Sequence, residues 1–221
     1  MAERTIEATF CFVDVSGFTA LTEAHGDVAA ADLIERFGEL VNEALSDGGN
    51  LVDAIGDAVL VSFEEPGAAV AFVSRLFGAA ARESDFPALR AGLHHGSVVE
   101  RGGRLFGAAL NLAARVAAQA HGGQVVATEG VATAVREDCV EVAPLGVFTL
   151  RNVRDSVELF SLNCTKAASE EVLDPVCRMR VSPDRAPGRL RHEEMDYWFC
   201  SLACAAKFAT DPEPYTREDK R

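Results

Sequence analysis

The sequence predicts an α+β protein in which a ferredoxin-like sandwich, residues 1–163, is followed by a small cysteine-containing domain, residues 174–215. The first observation is the order of predicted elements: strand, helices, two strands, helix, strand, helix, strand. The second is the apolar stretch Ala8–Val13, which predicts a strand buried on both faces. The third is the polar linker at 164–173, after which prolines and cysteines become frequent until the tail at 216–221.

The N-terminal elements follow from apolar periodicity. Residues 5–14 form the first predicted strand, and Thr19–His25 is predicted to be a short helix. A longer helix is predicted over Asp27–Leu45, because apolar residues recur there at helical spacing and Gly48 and Gly49 follow. Its apolar positions are Val28, Leu33, Ile34, Phe37, Leu40, Val41 and Leu45.

A hairpin is predicted next. The β-prone runs Leu51–Ile55 and Ala58–Phe63 flank the two residues Gly56 and Asp57. Glycine at the first central position of such a link favours a type II′ turn. Asp57 is therefore expected at the tip of a hairpin.

Helices and strands alternate in the rest of the first domain. Pro66 predicts the first position of a helix that runs to about Arg82. The apolar face of that helix consists of Val70, Val73, Leu76 and Phe77. The later predictions are a strand over Ala88–Glu100, a helix over Leu105–Ala120, a strand over Gln124–Ala127, a short helix over Glu129–Val135 and closing strands between Cys139 and Leu162.

Composition excludes several classes of protein. The 221 residues carry a formal net charge of −13, which argues against a general nucleic-acid-binding surface. The chain contains no apolar run of membrane-spanning length, and its first residues lack the apolar core of a signal peptide. We therefore expect a cytoplasmic protein with no nucleic-acid partner and no membrane association.

Two acidic residues mark a candidate metal site. Asp14 ends the first apolar strand, where a carboxylate is costly unless it is solvated, paired or bound to a cation. If that strand lies beside the hairpin, Asp14 and Asp57 converge. Two carboxylates repel one another, so the pair favours a divalent cation with a preference for oxygen ligands, Mg²⁺ or Mn²⁺.

The helix after Gly107 carries a second polar pair. Asn111 and Arg115 stand four residues apart, so both project from one helix face. The surrounding small residues leave room for another backbone or a ligand to come close. They are Ala108, Ala109, Ala113, Ala114, Ala117 and Ala118.

These segments together resemble the catalytic domain of class III nucleotidyl cyclases over about the first 163 residues. The resemblance is carried, in order, by Phe12–Thr19 (FVDVSGFT), Gly49–Ala58 (GNLVDAIGDA), Gly92–Gly96 (GLHHG) and Phe106–Arg115 (FGAALNLAAR). It implies that Asp14 and Asp57 hold two Mg²⁺ or Mn²⁺ ions on the triphosphate of ATP or GTP. It further implies formation of the 3′,5′-cyclic monophosphate and pyrophosphate, for cyclic nucleotide signalling.

The resemblance also assigns roles to other positions. Asn111 would orient the ribose, and Arg115 would neutralise charge that develops on the α-phosphate. Arg151 matches a position that binds the triphosphate, and Val15 is carried over as a substrate-binding position. The family forms head-to-tail homodimers in which one subunit gives the aspartates and the other gives the asparagine and the arginine.

The base-reading positions depart from the adenylyl cyclase pattern, which has a Lys and an Asp or Thr there, because Asp53 and Arg104 occupy them. In one interpretation, Asp53 accepts hydrogen bonds from guanine N1–H and N2–H while Arg104 donates to O6. In a second, Asp53 accepts from the adenine amino group while Arg104 donates to N1. In a third, the two residues form a salt bridge that closes the base pocket and leaves a weak enzyme.

The C-terminal segment resembles the YHS domain and the related TRASH-type pattern. The resemblance is carried by Asp174–Met179 (DPVCRM), Tyr197–Cys204 (YWFCSLAC) and residues 211–215. Cys177, Cys200 and Cys204 would take Zn²⁺ or another soft metal such as Cu(I), with His192 or Asp174 as an unassigned fourth ligand. The alternative is that these cysteines are small buried residues of a domain core.

Three functional classes remain open. The first is a nucleotidyl cyclase that works as a homodimer. The second is a catalytically weak or degenerate cyclase that acts as a nucleotide-sensing or metal-sensing regulatory module. The third is a dimerisation scaffold, which leaves the ordered acids and the Asn111/Arg115 helix unexplained.

Overall fold

The computed structural model describes residues 3–45, 48–135, 140–163 and 171–216. Cys139, Cys164, most of the predicted linker and most of the predicted tail lie outside these ranges. None of the helices in the described ranges is long and apolar enough to cross a membrane.

An eight-stranded sheet forms the centre of the larger domain. Its strands are β1 (Glu3–Val15), β2 (Gly49–Ile55), β3 (Ala58–Phe63), β4 (Leu89–Arg101), β5 (Arg104–Phe106), β6 (Val125–Thr128), β7 (Glu141–Phe148) and β8 (Val157–Asn163). They lie in the order β2-β3-β1-β4-β6-β8-β7, and β5 pairs with β4. Of these pairs, β4 and β6 are parallel. The helices are α1 (Phe18–His25), α2 (Asp27–Ala44), α3 (Pro66–Ala80), α4 (Ala108–Ala117) and α5 (Glu129–Val135).

β1 is buried on both faces, which confirms the prediction from its continuous apolar run. Cys11 and Val13 belong to the main core together with buried residues of α2, α3 and α5. Ala8 and Phe10 belong to a second cluster with residues of α4. Because side chains alternate across a strand, α4 covers the opposite face of the sheet from α2 and α3.

The alanines of α4 pack on the sheet of the same chain. A Cβ added at Gly92 would lie 2.0 Å from the backbone nitrogen of Ala117 and 2.5 Å from the carbonyl oxygen of Ala113. Ala109, Ala113 and Ala117 are buried accordingly. The small residues therefore do let a backbone come close, and that backbone is β4.

Two element predictions differ from the structure. The predicted helix over Leu105–Ala120 begins only at Ala108, because Gly102 and Gly103 form a turn with positive φ that returns the chain as β5. In α2 the predicted apolar position Val28 is 77% exposed, because it lies on the solvent side of the first helical turn, whose buried residue is Ala30.

The C-terminal domain is small and packs against the first. It contains β9 (Val172–Leu173), β10 (Arg180–Val181), β11 (Gly188–His192), β12 (Met195–Phe199), α6 (Leu202–Thr210) and α7 (Glu213–Thr216). Its core is a cluster of Val176, Cys177, Phe199, Cys204, Ala205 and Phe208. Arg180 donates hydrogen bonds to the carbonyl oxygens of Ala80 and Phe86 in the larger domain, and Met179 pairs with Pro87 through a β-bridge.

Candidate active site and metal centre

The structure brings Asp14 and Asp57 to one edge of the sheet. β1 and β3 pair so that Asp14 faces Ala58, and the Val15 N–H donates to the Asp57 carbonyl oxygen at 3.1 Å. Gly56 has φ +59° whereas Asp57 has no positive φ, which is the pattern of the predicted type II′ turn. The hairpin thus places its tip beside the end of the first strand.

Arg90 is part of this site, and sequence reasoning missed it. It lies opposite Asp14 on β4, and its Nε and Nη2 atoms donate to the two oxygens of the Asp14 carboxylate at 2.6 and 3.0 Å. Asp14 is only 9% exposed, so this bidentate pair compensates most of its charge. The hydrogen bond to Asp14 raises the pKa of Arg90. The available signal was an arginine inside the apolar run Ala88–Leu93.

Asp57 is half-buried, and no side chain in the described ranges forms an equivalent bidentate pair with its carboxylate. Burial raises the pKa of the Asp57 carboxyl, and the charge of Asp14 raises it further, while Arg90 acts in the opposite direction. Two carboxylates therefore share one cationic side chain and retain a net negative charge. This donor set suits a small cation that prefers oxygen ligands, so the residues present fit Mg²⁺ or Mn²⁺.

Asn111 and Arg115 have no hydrogen bond or ion pair with Asp14 or Asp57 among the described residues of one chain. Both are exposed on the outer side of α4. A Cβ built at Gly96 would lie 3.3 Å from the Ala109 Cβ, so the start of α4 lies above Gly96. Ala113 and Ala117, later in the helix, lie over Gly92, which is two residues from Arg90 on β4, so the end of α4 lies closer to the acids than its start. The two halves of the predicted site are thus not in direct contact within the described residues of one chain.

The base-reading candidates are exposed and separate. Asp53 follows a bulge in β2, and its Oδ1 accepts a hydrogen bond from the Ala54 N–H. The Arg104 guanidinium lies over the Phe106 ring, 5.6 Å from the centroid. Among the ion pairs of the described ranges, none joins Asp53 to Arg104 within one chain.

The remaining predicted substrate contacts differ in exposure. Arg151 is exposed in the turn between β7 and β8. Val15 is buried in the main core, and its N–H is used by the Asp57 carbonyl. A cavity of about 550 Å³ lies between α3, β4 and the C-terminal domain, and none of these site residues lines it.

Three cysteines of the C-terminal domain and one histidine of the larger domain converge where the two domains meet. The Sγ atoms of Cys177 and Cys200 are 3.4 Å apart, and those of Cys200 and Cys204 are 3.8 Å apart. His25 Nε2 lies 3.6 Å from Cys200 Sγ and 3.8 Å from Cys204 Sγ. All four donor atoms lie within 4.8 Å of one another. The hydrogen bond from Cys177 is the largest cause that lowers the pKa of the Cys204 thiol.

Asp174 and His192, the two residues that the sequence suggested as a fourth metal ligand, make other contacts. The buried Asp174 carboxylate accepts hydrogen bonds from the backbone N–H groups of Val176, Cys177 and Cys200. His192 packs edge-on against Phe208. His25 stands 152 residues before Cys177 in the sequence, so spacing within the C-terminal segment gave no signal for it.

The family follows from a match over most of the chain. The family model of the adenylate and guanylate cyclase catalytic domain matches residues 1–164. The chain belongs to the adenylate and guanylate cyclase family. The YHS domain model matches residues 172–218 of this cyclase family member. Both matches confirm the resemblances stated from sequence.

Three relatives of this cyclase family member come from Mycobacterium tuberculosis and Streptomyces griseus. An uncharacterized protein of Mycobacterium tuberculosis is 41% identical over 124 residues, which cover 52% of this chain and 31% of that protein. A pH-sensitive adenylate cyclase of the same species is 30% identical over 158 residues, 70% of this chain and 40% of that protein. An adenylate cyclase of Streptomyces griseus is 34% identical over 106 residues, 48% of this chain and 27% of that protein. The chain thus spans well under half the length of these relatives.

Solved structures confirm the α+β cyclase fold. An adenylate cyclase of Trypanosoma brucei in its monomeric state aligns with a TM-score of 0.66 at 22% identity, over 74% of this chain and 90% of that one. The adenylyl cyclase CyaB of P. aeruginosa aligns with a TM-score of 0.62 at 21% identity, over 77% of this chain and 98% of that one.

Proposed function

We propose that the chain converts ATP or GTP to the 3′,5′-cyclic monophosphate and pyrophosphate, at sites shared by two copies of the chain. The observation that carries the proposal is the convergence of Asp14 and Asp57 with a single compensating arginine. The adenylate cyclases among the relatives support the same chemistry.

Each residue has a task that its position supports. Asp14 and Asp57 would hold two Mg²⁺ or Mn²⁺ ions, which activate the ribose 3′-hydroxyl and stabilise the leaving pyrophosphate when bound. Arg90 fixes the orientation of the Asp14 carboxylate through two hydrogen bonds. Arg151 is available to bind the triphosphate because it is exposed in a turn.

A second copy of the chain would supply the other half of the site. Asn111 and Arg115 are exposed on α4 and have no hydrogen bond or ion pair with Asp14 or Asp57 among the described residues of their own chain, which supports a role toward the acids of a neighbour. There, Asn111 would orient the ribose and Arg115 would offset charge on the α-phosphate.

Exposed apolar residues support this homodimer. Ile55 on β2 is 66% exposed and Phe106 on β5 is 48% exposed. They stand two residues from Asp53 and Arg104 respectively, so the elements that carry the base-reading positions also offer apolar contact area. A dimer would place Asp53 of one copy and Arg104 of the other at one base pocket, which leaves all three interpretations of that pair in place.

Product formation tests the proposal. Incubation with ATP or GTP and Mn²⁺ should give cyclic product from the wild type and none above background from Asp57→Ala, because the second carboxylate is lost. Asn111→Ala should lower turnover by about 10²–10³-fold. A mixture of the two inactive variants should regain part of the activity, because one mixed site contains all native groups. Lack of product from the wild type with either nucleotide would contradict the proposal.

A second candidate function is a weak cyclase that acts as a nucleotide or metal sensor. It is favoured by one observation: Arg90 occupies both oxygens of Asp14, so a cation must compete for them. In that case the wild type would bind nucleotide in the presence of Mn²⁺, as measured by calorimetry, and yield no cyclic product.

A further inference from the structure

We infer that His25 of the cyclase domain is the fourth ligand of a zinc site whose other ligands are Cys177, Cys200 and Cys204 of the YHS domain. The site would thus join the two domains through one metal ion. This inference concerns metal binding and holds whether or not the cyclase reaction takes place.

The spacing of the four donor atoms fits one tetrahedral ion. Zn–S bonds of about 2.3 Å and Zn–N bonds of about 2.0 Å give donor atoms roughly 3.5–3.8 Å apart. Four of the six separations are 3.4 and 3.8 Å between sulfur atoms and 3.6 and 3.8 Å from His25 Nε2 to sulfur, and the other two, from Cys177 Sγ to Cys204 Sγ and to His25, are within 4.8 Å. A disulfide would need sulfur atoms about 2.05 Å apart, so the cluster does not match an oxidised pair.

The YHS backbone is already arranged for ligation. The Asp174 carboxylate, fully buried, fixes the turn before Cys177 and the strand end at Cys200 through three backbone hydrogen bonds. Ser201 caps α6 by accepting from the Cys204 N–H at 3.1 Å, which places Cys204 one helical turn after Cys200. Three thiolates and one imidazole form the Cys₃His set found in structural zinc sites.

Other contacts hold His25 at the site. It is the last residue of α1, and Lys207 of α6 donates to the Glu23 and Ala24 carbonyl oxygens at the same helix end at 3.1 and 3.3 Å. At the other end of α1, Gly17 has φ +77°, and a Cβ there would lie 2.6 Å from the Arg178 side chain. The YHS domain therefore contacts α1 at both ends.

This arrangement connects the zinc site to the segment of chain that follows Asp14. Gly17 lies three residues after Asp14, and Arg178 follows the ligand Cys177 directly. Binding of zinc by His25 and Cys177 would fix both ends of α1 and thereby the segment that follows Asp14. We expect zinc to reduce local opening of α1.

Metal titration of the full chain tests the site. Because loss of a residue that only hydrogen-bonds to a metal ligand typically costs about 10–100-fold in metal affinity, His25→Ala should weaken Zn²⁺ binding by at least about tenfold. His192→Ala is the matched control and should leave the affinity unchanged, since His192 lies outside the cluster. Co²⁺ substituted into the wild type should show charge-transfer and ligand-field bands of tetrahedral S₃N coordination, which His25→Ala alters.

Hydrogen exchange tests the connection between the domains. Zn²⁺ should increase protection of the amides of α1 in the wild type but not in His25→Ala. Equal Zn²⁺ affinity in the wild type and His25→Ala would overturn the inference, as would loss of affinity in His192→Ala. Binding of Cu(I) without measurable Zn²⁺ binding would overturn the assignment to zinc. Unchanged far-ultraviolet circular dichroism of His25→Ala shows that a loss of affinity does not result from unfolding.

Discussion

At the scale of single residues, the Asp14–Arg90 pair decides how the candidate site is charged before any cation binds. The carboxylate is nearly buried and uses both oxygens, whereas the arginine side chain is one-third exposed. Asp57 remains the less compensated acid, since burial and the charge of Asp14 both raise its pKa. The site therefore combines one fixed carboxylate with one that is free to accept a cation.

Removal of Arg90 should destabilise the fold through Asp14. In Arg90→Ala, the buried carboxylate loses two charge-assisted hydrogen bonds, which should cost about 1–3 kcal/mol of unfolding free energy. The same change in an Asp14→Asn background should cost less, because no uncompensated charge remains. Urea denaturation of the wild type, the two single variants and the double variant gives the coupling free energy between Asp14 and Arg90. Equal costs in the two backgrounds would show that the pair does not stabilise the fold.

His94 should make stability depend on pH. Burial lowers the pKa of His94 below its ordinary value of 6.5, and the neighbouring His95 lowers it further. The unfolded chain therefore binds a proton more readily than the folded one, so the free energy of unfolding should fall as the pH drops below about 6.5. His94→Gln should show a smaller loss between pH 7.5 and pH 5.5, whereas exposed His121→Gln should behave like the wild type. Parallel pH profiles for all three proteins would contradict this prediction.

At the scale of elements, the contact of α4 with β4 determines where Asn111 and Arg115 point. Gly92 allows the helix backbone to rest directly on the strand, with Ala113 and Ala117 at the contact. One side of α4 is thereby fixed against the sheet, and the polar pair faces outward. The position of Asn111 and Arg115 thus depends on a residue that has no side chain.

A methyl group at Gly92 should disrupt this contact. Gly92→Ala places a Cβ against backbone atoms of α4, which cannot move independently of the helix, so we expect a loss of about 3 kcal/mol or more. Gly78→Ala in α3 is the matched control. Its Cβ would meet only the end of the Arg82 side chain at 3.8 Å, so it should stabilise the protein by roughly 0.5–1 kcal/mol. Thermal unfolding distinguishes the two, and similar stability of both variants would refute the packing argument.

The sequence was sufficient for most elements because apolar periodicity and turn residues are local signals. The hairpin at Gly56 and the helix Glu129–Val135 have the predicted form. β5 was missed because three residues between glycines carry too little periodicity to separate strand from helix. Arg90 and His25 were missed because their partners are distant in sequence, and such contacts follow only from strand register and domain packing.

At the scale of the whole molecule, the contacts of the YHS domain with α1 provide a route by which a soft metal could influence cyclisation. The domain holds α1 at Gly17 through Arg178 and at His25 through two cysteines. Asp14 stands three residues before Gly17 in the sequence. The cluster is therefore joined to the segment that follows Asp14 through a single short helix.

Removal of the soft metal should lower turnover in the full chain. With Mg²⁺ saturating, a chelator selective for thiophilic metals should reduce cyclic nucleotide formation at least about twofold, because small displacements of catalytic groups are costly. Added Zn²⁺ should restore the rate. His25→Ala should respond less to both treatments. Identical rates of the wild type with chelator and with Zn²⁺ would exclude this coupling.

The shared cluster also limits how freely the two domains can be recombined. Residues 171–216 contain the three sulfur donors of the cluster, whereas the nitrogen donor, His25, lies at the end of α1 in the larger domain. Grafted onto another cyclase, the small domain would keep its full coordination set only where the recipient offers a histidine at that helix end. Among proteins in which a cyclase domain is followed by a YHS domain, we accordingly expect the histidine at the end of α1 and the three cysteines to be present together or absent together.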